Sequence, residues 1–276
     1  MSLAKAALRC MERIAPLRLA GSWDNVGMMI EAPYPKSTNK ILLTIDLTTA
    51  VTDEALAMDP PPELIISYHP PIFGALKSIT TNVPLQKSLL RCAASGVSVF
   101  SPHTSVDAAV GGVNDWLAAA FGADATVQAL KPSEASTEGA SSIEGLGRRV
   151  TLAKPTALDV LVAKVKTHLG LEHVQLGRSA VGKAEVSTIA LCAGGGGSVL
   201  HGVQADLYWT GEMAHHEVLA AVAAGSHVLL CGHTNTERGY LKVLQQRLTT
   251  ELASEDGVSG YTVLISQKDR HPLDIV

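Results

Sequence analysis

Five side chains able to ligate a metal occupy three short motifs in this chain. His69 lies in Ser67-Tyr68-His69-Pro70-Pro71, His103 and Asp107 in Pro102-His103-Thr104-Ser105-Val106-Asp107, and His233 and Glu237 in Gly232-His233-Thr234-Asn235-Thr236-Glu237. Imidazole mixed with carboxylate suits Zn, Fe or Mn better than the all-oxygen sites of Ca or Mg. The reading requires that two distant stretches of chain share one or two divalent ions.

Taken singly, each residue has a plainer explanation. A histidine just after a strand is often a hydrogen-bonded structural residue, although Pro70 and Pro71 would hold His69 in one direction. His103 and Asp107 are four apart, so one helical turn puts both on one face. Asp107 is favoured as the ligand; His103 is either a second ligand or the neighbour that orients a ligand carboxylate, and the neighbour role is preferred. His233 and Glu237 repeat the spacing of four. Glu237 falls in the expected first turn of a helix running through Leu241, Leu244 and Leu248, where the helix dipole favours an acid without any metal.

Two further segments carry polar groups. Gly194-Gly195-Gly196-Gly197-Ser198 opens a helix after a strand, and either offers backbone N–H groups to an anion or makes a tight turn. It lacks the pattern of a dinucleotide fingerprint and the lysine of a P-loop. In the segment from Asp206 to His216, Glu212, His215 and His216 share a helix start. They are candidate catalytic residues for proton transfer or substrate contact. No Gly-x-Ser-x-Gly nucleophile motif is present.

Elements that would position these groups can be read from periodicity. Short β-prone runs at 40–47, 64–67 and 97–100 alternate with helix-like stretches at 50–58 and 85–94, as in a sheet with crossover helices. Runs at 186–192, 205–209 and 227–231 repeat the arrangement, with helices after Gly197, Glu212 and Asn235. The expected fold is α/β with two similar lobes: a first lobe at 1–128, a connecting loop, strand and helix at 129–185, and a second lobe at 186–276. Residues 131–147, rich in Ser, Gly, Glu and Ala, read as a loop. Leu158, Leu161, Val162, Val165 and Leu169 follow with the period of an amphipathic helix.

A formal charge of −4 with no Lys/Arg stripe argues against direct nucleic-acid binding. No apolar run reaches the roughly 20 residues of a membrane span. The first fourteen residues read as an amphipathic helix rather than a secretory signal. Cys10, Cys92, Cys192 and Cys231 form no Cys-x-x-Cys pair and read as core thiols of a reducing, cytoplasmic protein.

Taken together, Ser22-Trp23-Asp24-Asn25-Val26-Gly27, Ser67 to Phe73, His103 to Ala109, Gly111-Gly112-Val113-Asn114-Asp115, the glycine run, Thr210-Gly211-Glu212 with His215-His216, and Gly232-His233 with Glu237-Arg238 resemble the NIF-three-like family, often described as GTP cyclohydrolase type-2 homologues. The resemblance runs in order over nearly the whole chain. It implies two α/β lobes around a metal-binding cleft, a dinuclear site, and assembly into a toroidal homohexamer. Carried over by motif, the metal ligands are His69, Asp107, His233 and Glu237, with Glu237 bridging two ions. Tyr68 stands where many bacterial members have a first histidine, which implies a mononuclear or asymmetric site. The short middle region implies no cap over the ring opening. The resulting expectation is a metal-dependent hydrolase of a small, nucleotide or otherwise phosphorylated substrate; the alternative is a non-catalytic metal-binding regulatory or transcription-related interaction protein.

Overall fold

The computed structural model of the chain describes residues 2–133 and 144–276, so most of the serine- and glycine-rich stretch at 131–147 lies outside the described residues. The chain opens with α1 (Leu3–Ile14), capped by the Ser2 hydroxyl, which accepts from the Lys5 N–H at 3.4 Å. Its buried positions, Leu3, Ala6, Ala7, Cys10, Met11 and Ile14, recur at helical spacing, as its amphipathic pattern requires. There follow β1 (Gly27–Ile30), β2 (Lys40–Thr44), α2 (Thr49–Ala57), β3 (Leu64–Ser67), α3 (Pro84–Ala94), β4 (Ser98–Ser101) and the single turn α4 (Thr104–Ala108).

Next come α5 (Val113–Ala118), β5 (Thr126–Pro132), β6 (Gly145–Ala157), α6 (Leu158–Leu169), β7 (Gln175–Gly177), β8 (Glu185–Gly195), the single turn α7 (Gly197–Leu200), β9 (Leu207–Glu212), α8 (His215–Ala223) and β10 (His227–Leu230). The chain ends with α9 (Leu241–Ala253) and β11 (Thr262–Ile265).

These elements form two compact units, 1–106 with 240–270, and 107–239 with 271–276. In the first, five strands lie in the order β1-β4-β3-β2-β11; the last four are parallel and β1 runs antiparallel at the edge. β3 and β4 are buried along their whole length, so their runs are continuously apolar or small rather than alternating. Leu42, Ile65 and Val99 pack with Val51, Leu89 and Cys92 of the crossover helices. His69 and His103 therefore sit just beyond the carboxyl ends of two adjacent parallel strands, where open α/β sheets bind ligands.

The second unit has six strands in the order β5-β6-β8-β9-β10-β7, with β8, β9 and β10 parallel and the others antiparallel. Leu158, Leu161 and Val165 bury one face of α6, as expected. Residues 131, 132 and 145–147, expected in a loop, instead extend β5 and β6, whose ladder pairs Lys131 with Leu146 and Pro132 with Gly145.

The unit boundaries differ from lobes at 1–128 and 186–276. α9 and β11 return to the first unit: Leu241, Leu244, Leu248 and Leu252 are buried where α9 packs on α1 and β11. β5, β6 and α6 are integral to the second unit, not a connector. Local periodicity identifies a strand or helix but not which sheet it joins. Among the described residues no helix is long and apolar enough to cross a membrane.

Candidate metal ligands in the two units

In the first unit, the His69 Nδ1 lies 2.9 Å from the Asp46 Oδ1, and its backbone N–H donates to the Ile45 carbonyl at 3.0 Å. The imidazole is thus gripped at the end of β2. Tyr68 is buried with its ring centroid 5.2 Å from that of His69 and 6.0 Å from that of His103. It acts as an aromatic wall for both imidazoles.

His103 is held by an acid of its own unit. Its Nδ1 lies 2.7 and 2.8 Å from the two oxygens of Asp24, whose side chain is wholly buried. Burial pushes the Asp24 carboxyl up, but hydrogen bonds from His103 and Thr104 outweigh it and hold the group below its ordinary value. His103 also has a φ of +32°, in a region that non-glycine residues rarely occupy. Sequence reasoning missed Asp24 as its partner because the two residues are 79 apart.

In the second unit, the His233 Nδ1 lies 2.8 Å from the Glu212 Oε1, and the His233 Nε2 lies 3.4 Å from the Glu237 Oε1. Glu237 is buried and sits after the 3₁₀ turn Thr234–Thr236, with a φ of −120°, four residues before α9 begins. It is not in the first turn of that helix, so the helix-dipole explanation for its carboxylate fails. The ends of β8 and β9 hold this loop through hydrogen bonds. The Gly232 N–H donates to the Gly211 carbonyl at 2.8 Å, the Gly194 N–H to the Thr236 hydroxyl at 2.8 Å, and that hydroxyl to the His233 carbonyl at 2.7 Å.

Glycine is required where the loop meets the strands. A Cβ on Gly194, whose φ is +63°, would stand 2.6 Å from the Glu237 Oε1 and 2.8 Å from the His233 Nε2. A Cβ on Gly211 would stand 2.7 Å from the His233 Cα. The glycine run thus makes room for the ligand side chains. At Gly197 the Glu217 carboxylate lies against the backbone and accepts from the Ala214 N–H at 2.9 Å.

Asp107 is placed by Asn114, a buried residue whose role was not evident in the sequence. The Asn114 Nδ2 donates to the Asp107 carbonyl at 3.0 Å, and its Oδ1 accepts from the Ala193 N–H of β8 at 2.9 Å. The Cys192 thiol is pushed far up, first by burial and then by the negative charges of Asp107 and Glu237, so both acids act on one locality. Glu212 borders a cavity of about 460 Å³ with Gly195, Gly197, Met213 and Glu217. His215 and His216 are exposed at the start of α8, their centroids 5.4 Å apart, and do not line that cavity.

A sequence model for Duf34/NIF3 (NGG1p interacting factor 3) matches residues 2–272. The chain belongs to the Duf34/NIF3 family. It is 46% identical to the Protein NIF3 homolog of Schizosaccharomyces pombe over 268 residues, covering 96% of this chain and 95% of that one. It is 34% identical to the NIF3-like protein 1 of Mus musculus over 355 aligned positions, covering 99% and 92%. In fold it is similar to the crystal structure of a Bacillus cereus protein related to NIF3, with a TM-score of 0.84 at 21% identity, covering 99% of this chain and 98% of that one. The α/β architecture with two sheets is therefore that of NIF3 proteins.

Proposed function

We propose that this Duf34/NIF3 member binds one or two divalent metal ions through His69, Asp107, His233 and Glu237, and acts as a metal-dependent hydrolase on a small molecule. The observation that carries the reading is that His69 and His233 are each held at Nδ1 by a carboxylate, Asp46 or Glu212, which fixes the direction of each ring. Histidine ligands of metals are typically oriented in this way. Within the second unit His233 and Glu237 approach to 3.4 Å, and the space kept clear by Gly194 beside both supports the reading. Nitrogen donors mixed with oxygen favour Zn, Fe or Mn. With Tyr68 in place of an imidazole, a single ion or an asymmetric pair fits this donor set best.

A bound ion supplies Lewis acidity that makes water a nucleophile near neutral pH. The chain's own residues provide the rest. Asp46 and Glu212 fix the tautomer and direction of the two imidazoles. Glu212 lines the neighbouring cavity, and it and the exposed His215 and His216 are proposed to contact substrate or move protons. Glu212 and Glu217 make that cavity acidic, which disfavours a phosphoryl group there.

Removing the orienting carboxylate while keeping the ligands isolates its contribution. Glu212→Ala is expected to weaken metal binding by about 10- to 100-fold, measured by competition with a chromogenic chelator. Unchanged affinity would mean that the His233–Glu212 contact has no bearing on a metal.

A second reading, a non-catalytic metal-binding protein with a regulatory or transcription-related partner, is favoured by the family's description as an interacting factor. Elemental analysis of protein purified without added metal is expected to return Zn, Fe or Mn at one or two ions per chain. Turnover on a panel of nucleotides and phosphoesters is expected for the Zn-, Fe- or Mn-loaded protein. The His233→Ala, Glu237→Ala double variant should lose both properties. Wild-type turnover no greater than the double variant's, with metal present, would select the second reading.

We further propose a homohexamer, to be tested by light scattering against six chains of 28.9 kDa, and a cytoplasmic setting. All four cysteines are buried and free, and burial pushes the Cys92 thiol up to about 11 and the Cys231 thiol up to about 12. Such thiols are unreactive and suit a reducing compartment.

A further inference from the structure

Trp23 and Phe73 are left 62% and 57% exposed in the first unit, yet neighbouring contacts position both. The Trp23 indole lies across Gly21, where an added Cβ would stand 2.8 Å from Nε1, so the ring rests directly on backbone. The next residue, Asp24, is fully buried and receives the His103 imidazole, the Thr104 N–H at 3.2 Å and the Thr104 hydroxyl at 2.5 Å. Asn25 donates to the Ile72 carbonyl at 2.5 Å and so ties this loop to the residue before Phe73. The two rings have centroids 6.2 Å apart at an interplanar angle of 52°, and each meets His103 edge-on, at 6.3 and 6.4 Å. The His103 ring in turn lies 5.4 Å from that of His69.

A buried carboxylate and a left-handed backbone at His103 together fix two large aromatic faces in water beside an imidazole pair. Packing within the fold gains little from this, because the faces stay exposed; a ligand that covers them gains a preorganised surface. The tilt excludes a sandwich, which needs near-parallel planes, but suits one flat ring stacked on one face with its edge against the other. Polar edges of that ring would meet His103. We infer that Trp23 and Phe73 form a stacking platform for a nucleobase-sized heteroaromatic ring, carried by the small molecule that the neighbouring His69 serves. This assignment of substrate class rests on the metal-centre reading for its purpose, though not for its geometry.

Calorimetric titration of the full chain with guanosine monophosphate, cytidine monophosphate, a pterin and ribose 5-phosphate tests it. The ring-bearing probes are expected to bind about 5- to 150-fold more tightly than ribose 5-phosphate, the range that stacking on an aromatic side chain supplies. Trp23→Ala with Phe73→Ala should remove that difference without changing metal content, and Trp23→Phe should restore part of it. Equal affinity of wild-type protein for probes with and without a ring would overturn the inference, and that comparison needs no variant to fold. So would a ring preference that survives the double substitution while light scattering shows a smaller particle, since the aromatic face would then join copies of the chain. Protein that prefers ring-bearing probes but purifies without metal would refute the hydrolase reading alone. Metal-bearing protein indifferent to the ring would refute the platform alone.

Discussion

Replacing Arg148 by alanine is expected to destabilise the second unit by about 3 kcal/mol or more, a large share of the roughly 5–15 kcal/mol that holds a domain together. The Arg148 side chain is fully buried. Its guanidinium pairs with Asp115 and donates to the carbonyls of Gly145 at 2.6 Å, Gly147 at 2.8 Å and Ala109 at 3.2 Å. Truncation leaves the carboxylate and three carbonyls to be satisfied by water in a space built for a planar fork. Lysine keeps the charge but not the fork, so Arg148→Lys should recover only part of the loss. Urea denaturation should show a lower midpoint for the second unit's transition at unchanged slope. An unmoved midpoint would mean that the network contributes nothing net.

Arg148 also shows which parts of the site can be read from sequence. The candidate ligands stood out as candidates because each follows a strand that is short, apolar and bounded by turn residues. His69 and His103 lie just beyond two neighbouring parallel strands, and His233 just beyond another. The residues that hold the ligands were not legible. Asp46, Asp24 and Glu212 act on their histidines across separations of 23, 79 and 21 residues, and Asn114, 7 residues from Asp107, is itself fixed by Ala193 79 residues away; no local period relates the distant positions. Glu212 was recognised as chemistry-bearing, but its contact with His233 was not, because the sequence does not show that β9 ends beside the His233 loop. The motif Gly111 to Asp115 was visible as a motif only; Asn114 and Asp115 gain their meaning from Ala193 and Arg148.

The same limit explains the unit boundaries. A run of β-prone residues such as Thr262–Ile265 reads as a strand in either sheet, and only its parallel register with Lys40–Leu43 assigns it to the first. The leucines of α9 likewise show an apolar face without showing that α1 covers it. Chain order suggested lobes in sequence, whereas burial of α9 against α1 and β11 brings the chain back to where it began. A strand reading was also lost at 145–147. The glycines there lower β-propensity, yet Gly147 is needed because a Cβ would stand 2.9 Å from the Leu191 carbonyl.

Gly194→Ala is expected to strip the protein of metal although it alters no ligand. The new methyl would lie 2.6 Å from the Glu237 Oε1 and 2.8 Å from the His233 Nε2, the two atoms assigned to the ion, so both side chains must turn away. Backbone strain is a separate effect, since a φ of +63° costs an L-residue roughly 1–2 kcal/mol. Gly202→Ala separates the two: its φ is +74° and nothing lies within 4 Å of the added carbon. Both variants should lose similar stability in thermal denaturation, while only Gly194→Ala should lower bound metal to the level of the His233→Ala, Glu237→Ala double variant. Full metal content in Gly194→Ala would show that the space beside Glu237 and His233 is not where an ion sits, and the ligand assignment in the second unit would fail with it. Equal metal loss in both variants would trace the effect to backbone strain instead. The comparison therefore tests a cradle defined by an absent side chain, which substitution of the ligands themselves cannot do.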